Sequence, residues 1–199
     1  MTEQAVSAIR LGNPVILPTD TVYGLVVAPF RDEPVRRLYE LKGRDESQPI
    51  ALMTPELHLL FELVPELRGR AEAIAKALLP GPYTLVFPNP ARRFGRLTGS
   101  RPDTIGVRVP ELPEPSAEIL RTVGALAATS ANLTGGVEPA RLEDVPEELR
   151  SKVAAVIDGG ELPGTASTVI DFSGPEPRVL REGAAASAEA LETAMSALA

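Results

Sequence analysis

The sequence predicts an α/β fold in which helices flank a twisted, mixed open sheet. Segments with helical periodicity alternate with short apolar, β-branched runs along the whole chain, as is typical of helices packed on a sheet. At 199 residues with 44% hydrophobic residues, the chain can bury one full core. We therefore predict a single domain over residues 1–185, followed by an alanine-rich helical tail over residues 186–199. In open sheets of this kind ligands bind beyond the strand ends, so we expect a site there.

Two helices near the start of the chain can be placed from their end signals. Residues 3–11 are amphipathic and stop at Gly12, because glycine readily takes the left-handed conformation that ends a helix. Asp32 is placed to cap a second helix, which has Pro34 in its first turn. This helix ends at Lys42-Gly43, so the pattern puts Lys42 at a helix C-terminus.

The rest of the chain continues the alternation. Apolar, β-branched runs bounded by turn residues predict strands at residues 15–17, 22–28, 49–53, 83–87, 104–109, 125–129, 153–158, 167–172 and 178–180. Further helices are predicted at residues 55–62, 65–79, 112–123, 142–149 and 187–198. The loop at residues 88–102 is rich in Pro, Gly and Arg, and no element is predicted there.

Composition excludes several classes of function. The chain has no cysteine and one histidine, which excludes disulfides, thiolate chemistry and a histidine cluster for a metal. A formal net charge of −7 argues against a general nucleic-acid scaffold, since such binding needs Lys and Arg to neutralise phosphates. No apolar run approaches the ~18 residues of a membrane span. We expect a soluble, cytoplasmic protein with no membrane partner.

Two polar segments at the ends of predicted elements suit a phosphorylated ligand. Lys42 and Arg44 flank a glycine at a helix end, so both can turn toward one anion, although a solvated helix end has the same cations. Ser130 and Asn132 follow a strand and precede Gly135-Gly136, whose backbone N–H groups can approach a phosphate. The alternative there is a turn that satisfies its own backbone.

Other polar residues offer contacts to a small substrate. Thr21 and Tyr23 can present hydroxyl groups, although a tight hairpin turn would need similar residues. Arg108 lies in an otherwise apolar strand and needs an anionic partner if it is buried, either a substrate carboxylate or an internal acid. The aspartates that end apolar runs match no dedicated metal loop, and we interpret them as turn residues: Asp20, Asp158 and Asp171.

These segments resemble the YrdC/Sua5 family of threonylcarbamoyl-adenylate synthases, in its short single-domain form. The resemblance covers about residues 15–181 and rests on segments in the family's order: Pro18–Gly24, Lys42–Arg44, Pro80–Thr84, Ile105–Pro110, Ser130–Asn132, Ser167–Asp171 and Leu180–Gly183. It implies a nucleotidyltransferase that joins L-threonine, bicarbonate or CO₂, and ATP into threonylcarbamoyl-AMP and pyrophosphate. A downstream tRNA threonylcarbamoyl transferase complex then uses the product to form threonylcarbamoyladenosine in tRNA.

The resemblance also implies roles for individual residues. It makes Lys42 and Arg44 the catalytic phosphate-binding pair, and substituting either by Ala is expected to reduce pyrophosphate release without unfolding the protein. The implied ATP-binding residues are Lys42, Arg44, Gln48, Thr104, Ser130, Asn132 and Arg181. The implied threonine-binding residues are Thr21, Tyr23, Arg108 and Ser167. Mg²⁺ is expected to enter through the ATP phosphates, without protein ligands. Met53 departs from longer relatives, which place a histidine there.

Two other functions stay open at this stage. One is a non-catalytic factor that binds double-stranded RNA or tRNA through clustered arginines, which the acidic balance of the chain disfavours. The other is a domain that handles carbamoyl-adenylate in hydrogenase maturation. The absence of cysteine disfavours that role, because those proteins add zinc-binding modules.

Overall fold

A computed structural model describes residues 1–198, and these form one mixed sheet with helices on both faces. The strands are β1 (Val15–Pro18), β2 (Tyr23–Val27), β3 (Ala51–Met53), β4 (Tyr83–Pro88), β5 (Thr104–Arg108), β6 (Leu126–Ser130), β7 (Ala155–Val156), β8 (Thr168–Asp171) and β9 (Arg178–Arg181). The helices are α1 (Thr2–Arg10), α2 (Asp32–Lys42), α3 (Leu57–Leu63), α4 (Arg70–Leu78), α5 (Ser116–Val123), α6 (Glu147–Arg150) and α7 (Ser187–Ser196). The predicted α/β class and mixed sheet are confirmed.

The strand order is β7-β1-β2-β6-β3-β5-β4-β8-β9, so sequence neighbours are often separated in the sheet. The pairs β1–β7, β3–β5 and β4–β8 are parallel, and the other pairs are antiparallel. This order puts β3 between β5 and β6, which brings strands from distant parts of the chain together at the centre of the sheet.

The two faces of the sheet are covered to different extents. On the first, which we call the closed face, buried side chains of the central strands form one core with α2, α3, α4 and α7; they include Leu25, Leu52, Leu85, Val107, Ala127 and Ile170. Side chains alternate along a strand, so their neighbours lie on the second face, the open face. There α1 and α5 pack on one end of the sheet only, over Val15, Leu17, Val26 and Leu126. The remainder of the open face is left for a cavity.

Proline explains the main departures from the predicted element boundaries. The helix predicted at residues 112–123 begins only at Ser116, directly after Pro115. The helix predicted at residues 142–149 is a 3₁₀ turn, Leu142–Asp144, followed by α6, because Pro146 holds Val145 in an extended conformation between them.

The predicted cap of α2 and the predicted length of β7 also need correction. Asp32 was predicted to cap α2, but it lies in the first turn, and Arg31 takes the capping position without a side-chain hydrogen bond. The strand predicted at residues 153–158 is reduced to the two residues of β7. Neither change alters the order of the elements.

The C-terminal helix packs on the rest of the domain. Ala190 and Ala194 of α7 are each 1% exposed and belong to the core of the closed face. Ala199, the last residue of the predicted tail, lies outside the described residues. Within residues 1–198 there is no helix with the length and apolar content that a membrane crossing requires.

Candidate active site

The open face carries a cavity of about 290 Å³. Its floor includes four small residues, one from each of four strands: Gly24, Ala51, Gly106 and Ala128. A Cβ atom built on Gly106 has Thr84 Cγ2 as its nearest neighbour, at 3.6 Å, so the absence of a side chain there leaves open space. The cavity therefore extends from the strand ends onto the sheet face, although the sequence analysis placed the site only beyond the ends.

Seven of the predicted site residues line this one cavity, and they come from six different parts of the chain. They are Thr21, Arg44, Thr104, Arg108, Ser130, Ser167 and Arg181. The residues of the Pro18–Gly24 segment lie on one side, and Arg181 of the edge strand β9 lies on the other. The convergence of these separate segments is the arrangement that the predicted site requires.

Lys42 lies beneath the cavity and is not one of its lining residues. It is 2% exposed, and its Nζ donates to Ser130 O at 2.6 Å, Asn132 Oδ1 at 2.6 Å and Asn132 O at 2.8 Å. An ammonium group has three protons, so these contacts use all of them. Lys42 therefore supports the loop after β6, and its predicted contact with a phosphate stays a prediction.

The burial of Lys42 also lowers the pKa of its amine. Loss of water, and secondarily the positive charge of Arg44, lower the pKa of the Lys42 amine to about 7, while Glu138 opposes the shift. The surrounding oxygen atoms favour the charged form, because only an ammonium can donate to three of them at once. Desolvation outweighs this preference, and in either form the side chain of Lys42 serves the internal structure of the site.

Arg44 differs from Lys42 because the chain reverses between them. Gly43 ends α2 in the left-handed conformation, with φ 59°, and Arg44 then turns to line the cavity. Its Nη2 donates to Pro49 O at 2.9 Å, and its buried Nε has no hydrogen-bond partner among residues 1–198. A buried donor without a partner is costly, and the guanidinium that carries it lines the cavity, where an anionic ligand can pair with the group.

A closed network of hydrogen bonds shapes the loop after β6. Ser130 Oγ donates to Asn132 Oδ1 at 2.7 Å, and Asn132 Nδ2 donates to Gly136 O at 2.6 Å. Thr134 donates through its backbone N–H to Lys42 O at 3.1 Å, which ties the loop to the end of α2. Ser130 lines the cavity, whereas Asn132 is occupied by these internal contacts.

Two further predicted residues lie outside the cavity lining. Tyr23 is fully buried on the closed face, and its hydroxyl donates to Gly160 O at 2.8 Å and accepts from the Gly159 N–H at 3.0 Å. Gln48 is exposed, and its backbone carbonyl oxygen accepts from the Tyr39 hydroxyl at 2.7 Å. Alternation in β2 directs Tyr23 away from the cavity, and Gln48 is not among the lining residues either. The substrate contacts predicted for these two residues stay predictions.

Arg108 is paired with an internal acid, one of the two partners that the sequence analysis left open. Its Nη2 donates to Asp20 Oδ1 at 2.6 Å, and the two side chains are 10% and 9% exposed. Burial raises the pKa of Asp20 and lowers the pKa of Arg108, and their mutual attraction opposes both shifts. Arg108 Nε and Asp20 Oδ2 are buried and have no partner within residues 1–198. Arg108 therefore keeps a donor for a ligand carboxylate.

Arg181 and Ser167 form another part of the cavity wall. Arg181 donates through Nε and Nη2 to Ser167 O, at 3.1 and 2.8 Å, and Nη2 also lies 3.2 Å from Ser167 Oγ. Ser167 Oγ lies 2.8 Å from Thr84 Oγ1. Together these contacts fix one edge of the arginine side chain and leave its Nη1 toward the cavity rim.

The sequence analysis missed several residues of the cavity. Glu138 follows the Gly135-Gly136 pair, and Arg101 lies in the loop at residues 88–102, where no element was predicted. Arg101 is held by a 2.8 Å ion pair with Asp171 at the end of β8. The predicted phosphate loop could have drawn attention to Glu138, whereas nothing in the sequence marks Arg101.

These features define a class of protein: an open-sheet α/β domain with a cavity on one sheet face that is lined by several arginines, one of them in a buried ion pair. Comparison with known proteins then gives the family. A model of the Sua5/YciO/YrdC family, described as "Telomere recombination", matches residues 7–183, and the chain belongs to this family.

Individual relatives are similar over most of the chain. The threonylcarbamoyl-AMP synthase of Pyrococcus abyssi is 37% identical over 180 residues, which cover 90% of this chain and 53% of the relative. A putative threonylcarbamoyl-AMP synthase of Mycobacterium tuberculosis is 35% identical over 181 residues, covering 90% of this chain and 82% of the relative. The chain thus spans about half the length of the first and about four fifths of the second.

A solved structure shows the same fold. The crystal structure of P. abyssi Sua5 complexed with L-threonine superposes with a TM-score of 0.85 at 34% identity, covering 96% of this chain and 56% of that chain. The predicted resemblance to the YrdC/Sua5 family is therefore confirmed.

Proposed function

We propose that the protein is a threonylcarbamoyl-AMP synthase, which forms threonylcarbamoyl-AMP and pyrophosphate from L-threonine, bicarbonate or CO₂, and ATP. The observation that carries the proposal is the convergence of Arg44, Ser130 and Arg181 with Arg108 in one cavity. Relatives named for this activity support it, as does the threonine-bound structure of P. abyssi Sua5. In reaction terms the enzyme is a nucleotidyltransferase, since it transfers AMP.

The cations divide the cavity between the two substrates. Arg44 and Arg181 suit the phosphates of ATP, because guanidinium groups can donate two parallel hydrogen bonds to phosphate oxygens. Ser130 and Thr104 line the cavity with them and add hydroxyl groups for the nucleotide. Mg²⁺ enters as the MgATP complex, with phosphate oxygens as its ligands; among residues 1–198, no group of three or more His, Cys, Asp or Glu forms a metal cluster.

The threonine end is built around the buried arginine. Arg108 lines the cavity, and the donors of its guanidinium that Asp20 does not use can pair with the carboxylate of threonine. Thr21 and Ser167 line the cavity and can contact the polar groups of the amino acid. Met53 pairs with Arg108 in the register of β3 and β5, so its apolar side chain borders this end.

The reaction needs positioning and charge stabilisation rather than a protein nucleophile. The neutral amine of threonine attacks CO₂, loses a proton to solvent and becomes a carbamate. A carbamate oxygen then attacks the α-phosphorus of ATP, and the bond to the β-phosphate breaks with pyrophosphate as the leaving group. Arg44 and Arg181 stabilise the charge that develops on the phosphate oxygens. Lys42 contributes by holding Ser130 in place.

The proposal extends to the cellular context. Threonylcarbamoyl-AMP is a reactive mixed anhydride, so a tRNA threonylcarbamoyl transferase must consume it, and we place both proteins in the cytoplasm. Direct RNA binding has no support from the surface arginines. Several of them are neutralised by acidic partners, as in the pairs Arg93–Glu66, Arg96–Asp32 and Arg141–Glu161.

An assay of pyrophosphate release tests the proposed function. With ATP, Mg²⁺, bicarbonate and L-threonine together, we expect pyrophosphate and threonylcarbamoyl-AMP in equal amounts, the latter identified by mass spectrometry. Omission of threonine or of bicarbonate is expected to abolish both products. Release of pyrophosphate that is independent of threonine would contradict the proposal. Serine serves as a matched comparison, because it lacks one methyl group, worth about 1–3 kcal/mol in an apolar pocket.

A further inference from the structure

One acidic side chain, Glu138, lines the cavity among its cations. Of the residues that line the cavity within the described part of the chain, it is the only Asp or Glu. It lies beyond the glycine pair of the loop after β6, and its carboxylate is close enough to Lys42 to raise the pKa of that amine. A fixed negative charge at this place opposes the binding of a polyphosphate, so the charge of Glu138 needs an explanation.

The contacts of Glu138 show which group it competes for. Its Oε1 lies 3.5 Å from Arg181 Nη1, and its Oε2 accepts a hydrogen bond from the Ala166 N–H at 3.2 Å. The other two nitrogens of Arg181 are bound to Ser167. Among residues 1–198, Glu138 is thus the partner recorded for Arg181 Nη1, the nitrogen left to receive a phosphate.

The pair is loose enough to exchange. The side chains of Arg181 and Glu138 are 46% and 30% exposed, whereas those of Arg108 and Asp20 are 10% and 9% exposed at a contact of 2.6 Å. Solvent screens a long, partly exposed ion pair, so it is weak and easily replaced. A polyphosphate carries more negative charge than one carboxylate and can displace it from Arg181.

We propose that Glu138 acts as an internal substitute for the phosphate. Its carboxylate faces Arg181 in the empty site, is displaced when ATP binds, and returns to Arg181 as pyrophosphate leaves. The exchange involves no covalent step. It deepens the proposed function, on which it rests for the identity of pyrophosphate as product. Glu138 therefore weakens the binding of both polyphosphates and favours release of the product.

Two substitutions at Glu138 and a matched control test this role. Glu138→Gln removes the charge but keeps an oxygen that can accept from the Ala166 N–H, and Glu138→Ala removes both the charge and the acceptor. Glu161→Gln is the control, because it also removes one carboxylate from an arginine, at 2.8 Å from Arg141, outside the cavity lining. Urea unfolding checks that all three variants are folded.

The measurement is calorimetry with inorganic pyrophosphate and with ATP, each at fixed Mg²⁺ and without threonine. We expect Glu138→Gln to bind both ligands about two- to fivefold tighter than the original protein, and Glu161→Gln to bind them unchanged. In the turnover assay, pyrophosphate is expected to become a stronger product inhibitor of Glu138→Gln by a similar factor.

The other outcomes overturn the proposal. Unchanged binding in both Glu138 variants would show that the carboxylate does not compete. Weaker binding of ATP that is restored by added Mg²⁺ would show that Glu138 is a metal ligand instead. Because calorimetry requires no turnover, tighter binding in Glu138→Gln without threonine-dependent pyrophosphate release would support the exchange while contradicting the synthase function.

Discussion

The two ends of the cavity hold their arginines in different ways. Arg108 and Asp20 make a 2.6 Å contact at the end of a central strand, and both side chains are about nine-tenths buried. At the other end, Arg181 lies 3.5 Å from Glu138 and Arg44 donates to a backbone oxygen. Under the proposed function, this difference gives a preformed end for the carboxylate and an end for the phosphates that can exchange its partners.

The same contrast gives the two ends different tasks: the buried pair suits selection of a ligand, and the exposed arginines suit binding that must be reversed. A buried pair on a strand keeps its geometry whether or not a ligand is present, so the carboxylate end can discriminate among amino acids by shape and charge. Partly exposed arginines next to loops adapt more readily, which suits the proposed exchange of ATP for pyrophosphate.

The largest expected effect comes from breaking the buried pair. Arg108→Met leaves the Asp20 carboxylate buried without a counter-charge, and we expect the free energy of unfolding to fall by about 3–5 kcal/mol. Threonine binding is expected to be lost as well. Urea unfolding and calorimetry with threonine measure the two effects.

A double variant separates those two effects. Asp20→Asn combined with Arg108→Met removes both charges and is expected to recover most of the stability, but not the threonine binding. If the double variant were as unstable as Arg108→Met, the buried charge of Asp20 would not be the cause of the loss.

At the phosphate end, the expected effect is on catalysis rather than on folding. Arg44→Ala removes a cation whose Nε has no internal partner within residues 1–198, so we expect pyrophosphate release to fall about 10²-fold. The free energy of unfolding is expected to change by less than about 1 kcal/mol. Pyrophosphate release and urea unfolding of the same preparation provide the check, and retained turnover would show that Arg44 does not contact the phosphates.

The third prediction concerns Lys42, which supports the phosphate end from below. Its pKa is lowered from 10.5 in a free side chain to about 7, so between these values the unfolded chain binds a proton that the folded chain lacks. The contribution of Lys42 to stability is therefore complete above pH 10.5 and is lost as pH falls toward 7.

Urea unfolding of the original protein and of Lys42→Met at pH 7, 8 and 9 tests this prediction. The difference in unfolding free energy is expected to grow with pH, by about 1 kcal/mol per unit and at most 1.4. A difference that does not depend on pH would mean that Lys42 keeps an ordinary pKa. Lys42→Met is also expected to be less stable than Arg44→Ala, contrary to the sequence-based expectation that both leave the fold intact.

The sequence predicted most of the elements because their signals are local. Gly43 marks the end of α2, and the alternation in Thr104–Arg108 marks β5. The convergence of Arg44, Arg108 and Arg181 was also anticipated, through the family resemblance. The sequence did not predict where side chains point when their direction depends on tertiary contacts.

Three residues illustrate that limit. The left-handed turn at Gly43 sends Lys42 and Arg44 to different places, although they lie two positions apart. Asp20 was interpreted as a turn residue, because its pairing with Arg108 joins positions 88 apart and leaves no local pattern. The competition between Glu138 and a ligand depends on the position of β9, which the sequence does not specify.

Because side chains alternate along the central strands, the strand pairing that builds the core also forms the cavity surface. Gly106 and Arg108 face the cavity, while Ile105 and Val107, which alternate with them along β5, belong to the closed-face core. A slip of one residue in the pairing of β5 would exchange these sets and place a guanidinium among aliphatic side chains. Only the native pairing is therefore tolerated, and a molecule that has completed its sheet has assembled its binding surface in the same event.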